Sequence, residues 1–331
     1  MPRHNAGLIL LYHRVAELKS DPQLLAVTPH RFGQHLEVLR DYGTPLSLAE
    51  MLEGARDGRL PRGAIALTFD DGYADNADCG SALLARYGIP ATLFVTTSYL
   101  GQEREFWWDD LERLLLLPGR LPDALCLRIG PTVHEWRLDE ASVYTEEEYR
   151  RNSGWNVELA HDPSPRHTVY RALCRLLCDV PGEERAQVLD ELSRLASVTP
   201  AGRSTHRALS HDGLARLIGG GVMDVGAHST THPALSAIPL AAQRSEIAGS
   251  KTRLREITGR ETTGFSYPFG GRADYTPATV ALVREVGFVL ACSNVRGLVR
   301  PRSDCFQLPR VLVRDWDADT FAARLREWFG D

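Results

Sequence analysis

Residues 64–76 read AIALTFDDGYADN, and the rest of the chain is best read outward from them. Six residues of strand character, 64–69, run directly into two adjacent carboxylates, Asp70 and Asp71, followed by a glycine. In a parallel sheet or barrel the C-terminal ends of the strands form the functional rim, so this arrangement delivers both carboxylates there. Gly72 lets the chain turn sharply at that point. The competing reading is that an aspartate at a strand end only caps the following helix. The sequence assigns that lesser role to Asp109 and Asp110, which open the helical pattern FWWDDLERLLLL at 106–117.

Around this stretch, short apolar runs at 8–12, 64–69 and 91–95 alternate with amphipathic segments at 29–42 and 74–87. That rhythm marks β/α units around a parallel sheet or barrel. It resumes late in the chain, with helical patterns at 211–218, 239–258 and 277–286 and strand patterns at 222–227 and 288–291. Between the two halves the character changes. A helix at 106–117, a hairpin over 124–138 turning at Gly130-Pro131, and two helices over 168–196 broken at Pro181-Gly182 indicate an inserted, mostly helical subdomain. The expected organisation is an α/β body from 1–100 and 209–331, interrupted by an insertion at 101–208.

The chain has 331 residues, of which 43% are hydrophobic and 24% charged, ample for a large buried core. Its formal net charge of -5 gives no broad basic surface for nucleic acid. The six cysteines include no C-x-x-C pair, so neither a zinc knuckle nor a disulfide framework is expected. No apolar run reaches the length of a membrane span, and the run at 8–12 is too brief for the core of a signal peptide. The corresponding expectation is a cytoplasmic protein.

A second strand feeds polar residues at 222–232, VMDVGAHSTTH, with His228 and His232 four apart. With 11 histidines in the chain, chance supplies roughly 0.4 such pairs, so the spacing is weak by itself. Its position at a strand end adds weight. One carboxylate and two imidazoles make a three-ligand metal site with a fourth position open to water, suited to zinc, with cobalt or nickel as alternatives. The adjacent aspartates can then divide the labour, Asp71 ligating the metal and Asp70 taking the proton of the attacking water.

TFDDG at 68–72 and HSTTH at 228–232, in this order and at strand ends, resemble the first two motifs of the polysaccharide deacetylases, the NodB-homology or carbohydrate esterase family 4 group. The resemblance implies a distorted (β/α)7 barrel of NodB type. It makes Asp70 the catalytic base and Asp71, His228 and His232 the metal ligands. A third family motif, usually Arg-x-Pro-Phe/Tyr-Gly, corresponds to Ser266-Tyr267-Pro268-Phe269-Gly270. There Tyr267 and Pro268 would shape the substrate groove, and the Phe269 N–H would donate to the oxyanion. Ser266 stands where the base-orienting arginine is expected, and Arg310 of LPRVLV is the candidate replacement from a neighbouring strand, against a surface or structural ion pair. The family's C-terminal Leu-x-His has no counterpart, but LILLYHRV at 8–15 looks like the permuted branch, similar to the poly-N-acetylglucosamine deacetylases, and nominates His13 as general acid. Trp107, at the edge of the insertion, is a candidate for stacking on a sugar. His206 lacks partner spacing and is assigned nothing.

The implied activity is removal of an N-acyl group, acetyl in the family, from an amino sugar carried by a small glycoside, a nucleotide sugar or a lipid-linked precursor. Two alternatives stay open at this point. One is a deformylase or an amidase acting on a non-polysaccharide amide. The other is a catalytically silent carbohydrate-binding protein that kept the barrel.

Overall fold

A computed structural model describes residues 6–199 and 201–330. Two compact units make up the chain: residues 1–17, 25–101 and 209–331 form the first, and residues 18–24 with 102–208 form the second. The division near 101 and 208 follows the change of sequence character. Residues 18–24 are a departure, since the sequence placed them in the body.

The first unit is built on seven parallel strands: β1 (Gly7–Tyr12), β2 (Ala64–Phe69), β3 (Ala91–Val95), β4 (Met223–Ala227), β5 (Gly264–Ser266), β6 (Leu290–Cys292) and β7 (Val311–Leu312). Their spatial order is β6-β5-β4-β3-β2-β1-β7, and Thr44–Pro45 adds a short parallel partner to β2. The sheet curls until a bridge between Cys292 and Leu308, just ahead of β7, joins its two ends. The result is the seven-stranded distorted barrel that the motif resemblance implies. β1, β2 and β3 are buried along their whole length, as parallel strands covered on both faces must be.

The strand period of two sorts these residues into two layers. Leu8, Leu10, Ile65, Leu67, Phe69, Leu93, Val95 and Phe265 face outward and pack with Phe32, Leu36, Leu254 and Phe321 of the surrounding helices. Ile9, Ala64, Ala66, Phe94, Leu290 and Cys292 face inward, together with Met51 and Leu52 of the helix Leu48–Arg56. The interior is narrow: a Cβ on Gly226 would sit 2.3 Å from the Phe94 ring, so glycine at that position is what lets Phe94 fill the space. The same parity, carried past the strand ends, puts His13, Asp70 and His228 on the inward face at the C-terminal mouth.

The second unit contains the helices Trp107–Leu115, Glu146–Asn152, Pro165–Leu177 and Gly182–Leu195, and the hairpin Ala124–Ile129 with Thr132–Arg137. The hairpin turns at Gly130-Pro131 and the two later helices part at Pro181, as the turn residues indicated. Asp109 and Asp110 do not cap their helix. Its N-cap is Phe106, and Asp110 is instead paired with Arg104 and Arg113. Buried Arg166 holds this unit's loops by donating to the carbonyls of Leu115, Gly119, Ala141 and Ser142. No helix among the described residues is long and apolar enough to cross a membrane.

Candidate metal centre and active site

Asp70 continues the inward series Ala64, Ala66, Thr68 of β2, and its N–H is fixed by the Tyr12 carbonyl of β1 at 3.0 Å. By simple alternation Asp71 would turn away. It adopts φ 72° instead, with its carbonyl taking the Thr96 N–H at 3.0 Å, and this left-handed step returns the carboxylate to the mouth. Gly72, at φ 93°, completes the turn. Asn76 then ties the two rims by donating to the carbonyls of His13 and Tyr73. Asp75 binds the Arg14 side chain and the Val15 N–H. Neither of those anchors was singled out from the sequence, although both lie within the quoted stretch.

His228 follows β4, and its Nδ1 lies 2.8 Å from the Ser266 carbonyl. A carbonyl can only accept, so Nδ1 carries the proton and Nε2 offers its lone pair to the mouth. Burial lowers the His228 pKa, in keeping with that neutral tautomer. His232 is brought alongside by a tight loop in which Ser229 and His232 both take positive φ and Ser229 Oγ accepts the His232 N–H at 3.0 Å. Glu246 clamps the same loop by accepting from the N–H groups of Thr230 and Thr231 and from the Thr231 hydroxyl. No local sequence signal marked Glu246, because it sits on the separate helix Leu240–Thr258.

The ligand atoms of Asp71, His228 and His232 lie within 4.8 Å of one another. Asp71 Oδ1 is 3.6 Å from His228 Nε2 and 3.5 Å from His232 Nε2. Ligands of a tetrahedral zinc, with bonds of about 2.0–2.1 Å, stand about 3.3 Å apart. The residues therefore fit a small divalent cation in both chemistry and spacing.

Asp70 is the carboxylate left over, and it is gripped by a cation. Arg310, just ahead of β7, donates through Nη1 to Asp70 Oδ1 and through Nη2 to Oδ2, both at 2.7 Å. Ser266 Oγ adds a bond to Oδ2 at 3.0 Å and accepts from Arg310 Nη2 at 2.8 Å. Thr68 Oγ1 and the Ser293 carbonyl hold the rest of the guanidinium. Although burial pushes its carboxyl pKa up, Arg310 and the neighbouring groups outweigh that and hold Asp70 well below the usual carboxylate range. His13 stands next to Asp70 at the end of β1. Burial drives its pKa down to about 3 despite the attraction of Asp70, so its imidazole is neutral at pH 7. Phe269, at φ 60°, is turned outward to 37% exposure with its ring 4.8 Å from that of His232. The bonds of its turn, Gly270 N–H to Pro268 O and Asn294 N–H to Gly270 O, do not use the Phe269 N–H.

The polysaccharide deacetylase family profile matches residues 57–116 and 186–291, half of the chain. The chain belongs to this family. Among relatives, it is 35% identical over 72 residues to the poly-beta-1,6-N-acetyl-D-glucosamine N-deacetylase of Escherichia coli K12, covering 21% of this chain and 11% of that protein. It is 30% identical over 112 residues to the protein of the same name from Staphylococcus epidermidis, covering 29% and 38%. It is 29% identical over 110 residues to YxkH of Bacillus subtilis, assigned by name to the polysaccharide deacetylases, covering 32% and 37%. The matches thus span well under half the length of these relatives. Among solved structures, IcaB from Ammonifex degensii superposes with a TM-score of 0.60 at 18% identity, over 99% of this chain and 98% of that one. The Streptococcus pyogenes deacetylase PplD gives 0.55 at 16%, over 97% and 99%. At such identities the structural likeness concerns the fold.

Within this polysaccharide deacetylase the structure brings together Asp70, Asp71, His228, His232, Arg310 and the neighbouring His13. Three sequence expectations are corrected. Tyr267 does not face a groove: it keeps the outward parity of Phe265, is 1% exposed, stacks on Tyr275 at 4.1 Å and donates to the Phe306 carbonyl. Pro268 is buried as well. Trp107 is 2% exposed inside the second unit, with the Arg185 guanidinium 5.1 Å over its ring, which leaves no face for a sugar. Ser266, which the sequence presented as a missing arginine, is itself part of the site.

Proposed function

We propose that this polysaccharide deacetylase is a divalent-metal-dependent hydrolase that removes the N-acetyl group from glucosamine units, with Asp71, His228 and His232 holding zinc. A single observation carries the reading: an ionised carboxylate, Asp70, is pinned by Arg310 and Ser266 directly beside a convergent two-histidine, one-aspartate ligand set. A carbohydrate-binding protein has no evident need for a gripped base beside metal ligands. A metal in that set supplies Lewis acidity, polarising the acetyl carbonyl and acidifying water.

The remaining steps belong to the chain's own groups. Asp70 accepts the proton of the attacking water. The Phe269 N–H donates to the carbonyl oxygen as it gains negative charge. The departing amine needs a proton, and His13, neutral in the free chain, supplies it after receiving the one that Asp70 took. Each turnover then returns both groups to their starting state, with acetate and a free amino sugar released.

The names of the Escherichia coli and staphylococcal relatives favour β-1,6-linked N-acetylglucosamine chains over a free small glycoside as the substrate. Acetate release should be measured on β-1,6-linked N-acetylglucosamine oligomers, a nucleotide sugar and an N-formyl analogue, with and without added zinc. The reading expects oligomer turnover that a chelator abolishes and zinc restores. Turnover that survives chelation, or activity confined to non-sugar amides, would overturn it.

A further inference from the structure

The second unit contains another convergence of ligating side chains. Asp109 and Glu112 stand one turn apart on the helix Trp107–Leu115, and His206 ends the short turn Ser204–His206. One ligating atom from each lies within 4.8 Å of the others, and all three residues are buried. His206 bonds the Thr205 hydroxyl through Nδ1 at 2.9 Å and presents Nε2 to Glu112 Oε2 at 3.6 Å.

The Glu112 carboxylate is the informative group. Its Oε2 accepts from Arg203 Nη2 at 2.8 Å, whereas Oε1 finds no donor among the described residues, in a side chain only 2% exposed. Arg203 leaves Oε1 unserved: its Nη2 donates to Glu112 Oε2, to Glu105 and to the Asp109 carbonyl. A buried ion network complete in itself would satisfy both oxygens.

We propose that Asp109, Glu112 and His206 form a second divalent-cation site, structural rather than catalytic, that clips the incoming helix of the insertion to its outgoing segment. The mixed nitrogen and oxygen donors suit zinc or a neighbouring first-row metal. The benefit is one of chain entropy: Arg203 and Glu112, on the two segments joined, are 91 residues apart, and a cation bound only by the folded arrangement stabilises closure of that long loop.

The test uses the intact chain with His228→Ala and His232→Ala, which removes two ligands of the first centre. After incubation with Zn2+ and desalting, this variant retains one Zn2+ per chain, and a chelator lowers its melting temperature. Adding His206→Gln removes the remaining Zn2+. Absence of Zn2+ from the double variant, or its persistence with His206→Gln, overturns the proposal. Should His206→Gln impair folding, 1H–15N spectra of the double variant's imidazoles decide instead: the His206 Nε2 resonance shifts on Zn2+ addition, and an unshifted resonance overturns the site. The catalytic reading fails separately, since a wild-type chain retaining a single Zn2+ that His206→Gln removes would contradict the first centre and support the second.

Discussion

Asp70 is a carboxylate only 3% exposed that stays ionised because a guanidinium and a hydroxyl meet it face to face. Its depressed pKa adds stability above the usual carboxylate range, and that contribution is lost as pH falls through the folded-state value. Arg310→Met leaves the carboxylate buried without its cation. The acidic limb of kcat/KM should then move to higher pH, and denaturant unfolding should show a loss of about 3–5 kcal/mol. An unmoved limb would remove Arg310 from the positioning of the base. Strain is concentrated at the same centre: Asp71, Ser229, His232 and Phe269 all adopt positive φ without being glycine. Asp70, Asp71, His228 and His232 were legible in the sequence because each pair sits in one short motif at a strand end. The Asp70–Arg310 pair spans 240 residues, so sequence could nominate Arg310 but not show its contact. Tyr267 was misjudged for a simpler reason: the period of two, carried on from Phe265, already points it away from the barrel interior.

The elements around the centre act as clamps. The helix Leu240–Thr258 contributes Glu246, whose carboxylate fixes the loop between the two histidines through three hydrogen bonds. Removing such an outer support usually costs a metal site about 10–100-fold in affinity. Glu246→Gln, measured by competition with a chromogenic chelator, is therefore expected to weaken zinc binding by that order while leaving the fold intact. Unchanged affinity would show that the loop holds its shape without the clamp. Strand and helix positions in the body followed the apolar rhythm closely, since β1, β2 and β3 are unbroken buried runs. Shorter pieces were less legible. β5 has only three residues, too few for periodicity to mark, and β6, expected at 288–291, is shifted to Leu290–Cys292 because tertiary pairing decides its extent.

For the whole molecule, acid stability follows from histidines kept neutral. Burial drives His35 and His167 to about 4, against about 6.5 in an unfolded chain. His35 is further committed by contacts to the Tyr12 hydroxyl and the Trp316 carbonyl. Below pH ~6.5 the unfolded chain takes up protons that the folded chain refuses, so stability falls toward pH 4 by up to about 1.4 kcal/mol per pH unit for each such histidine. Melting temperature should decline between pH 7 and pH 5, with a shallower slope for His35→Gln; a flat profile would contradict this account. The parallel β/α body and its interruption were both visible in the sequence, because the insertion changes the apolar rhythm, whereas the seven-stranded barrel was implied by the family resemblance. The transfer of residues 18–24 to the second unit was not, since so short a segment has no periodicity of its own.

The central claim is a division of labour between two adjacent aspartates, one holding metal and the other moving a proton. It is tested most directly by measuring bound zinc and acetate release together in Asp70→Asn and His228→Ala. The account predicts that Asp70→Asn keeps its zinc while its rate falls by about 10²–10⁴-fold, the usual worth of a positioned base, and that His228→Ala loses both. An Asp70→Asn chain that binds zinc and turns over at the wild-type rate would contradict it.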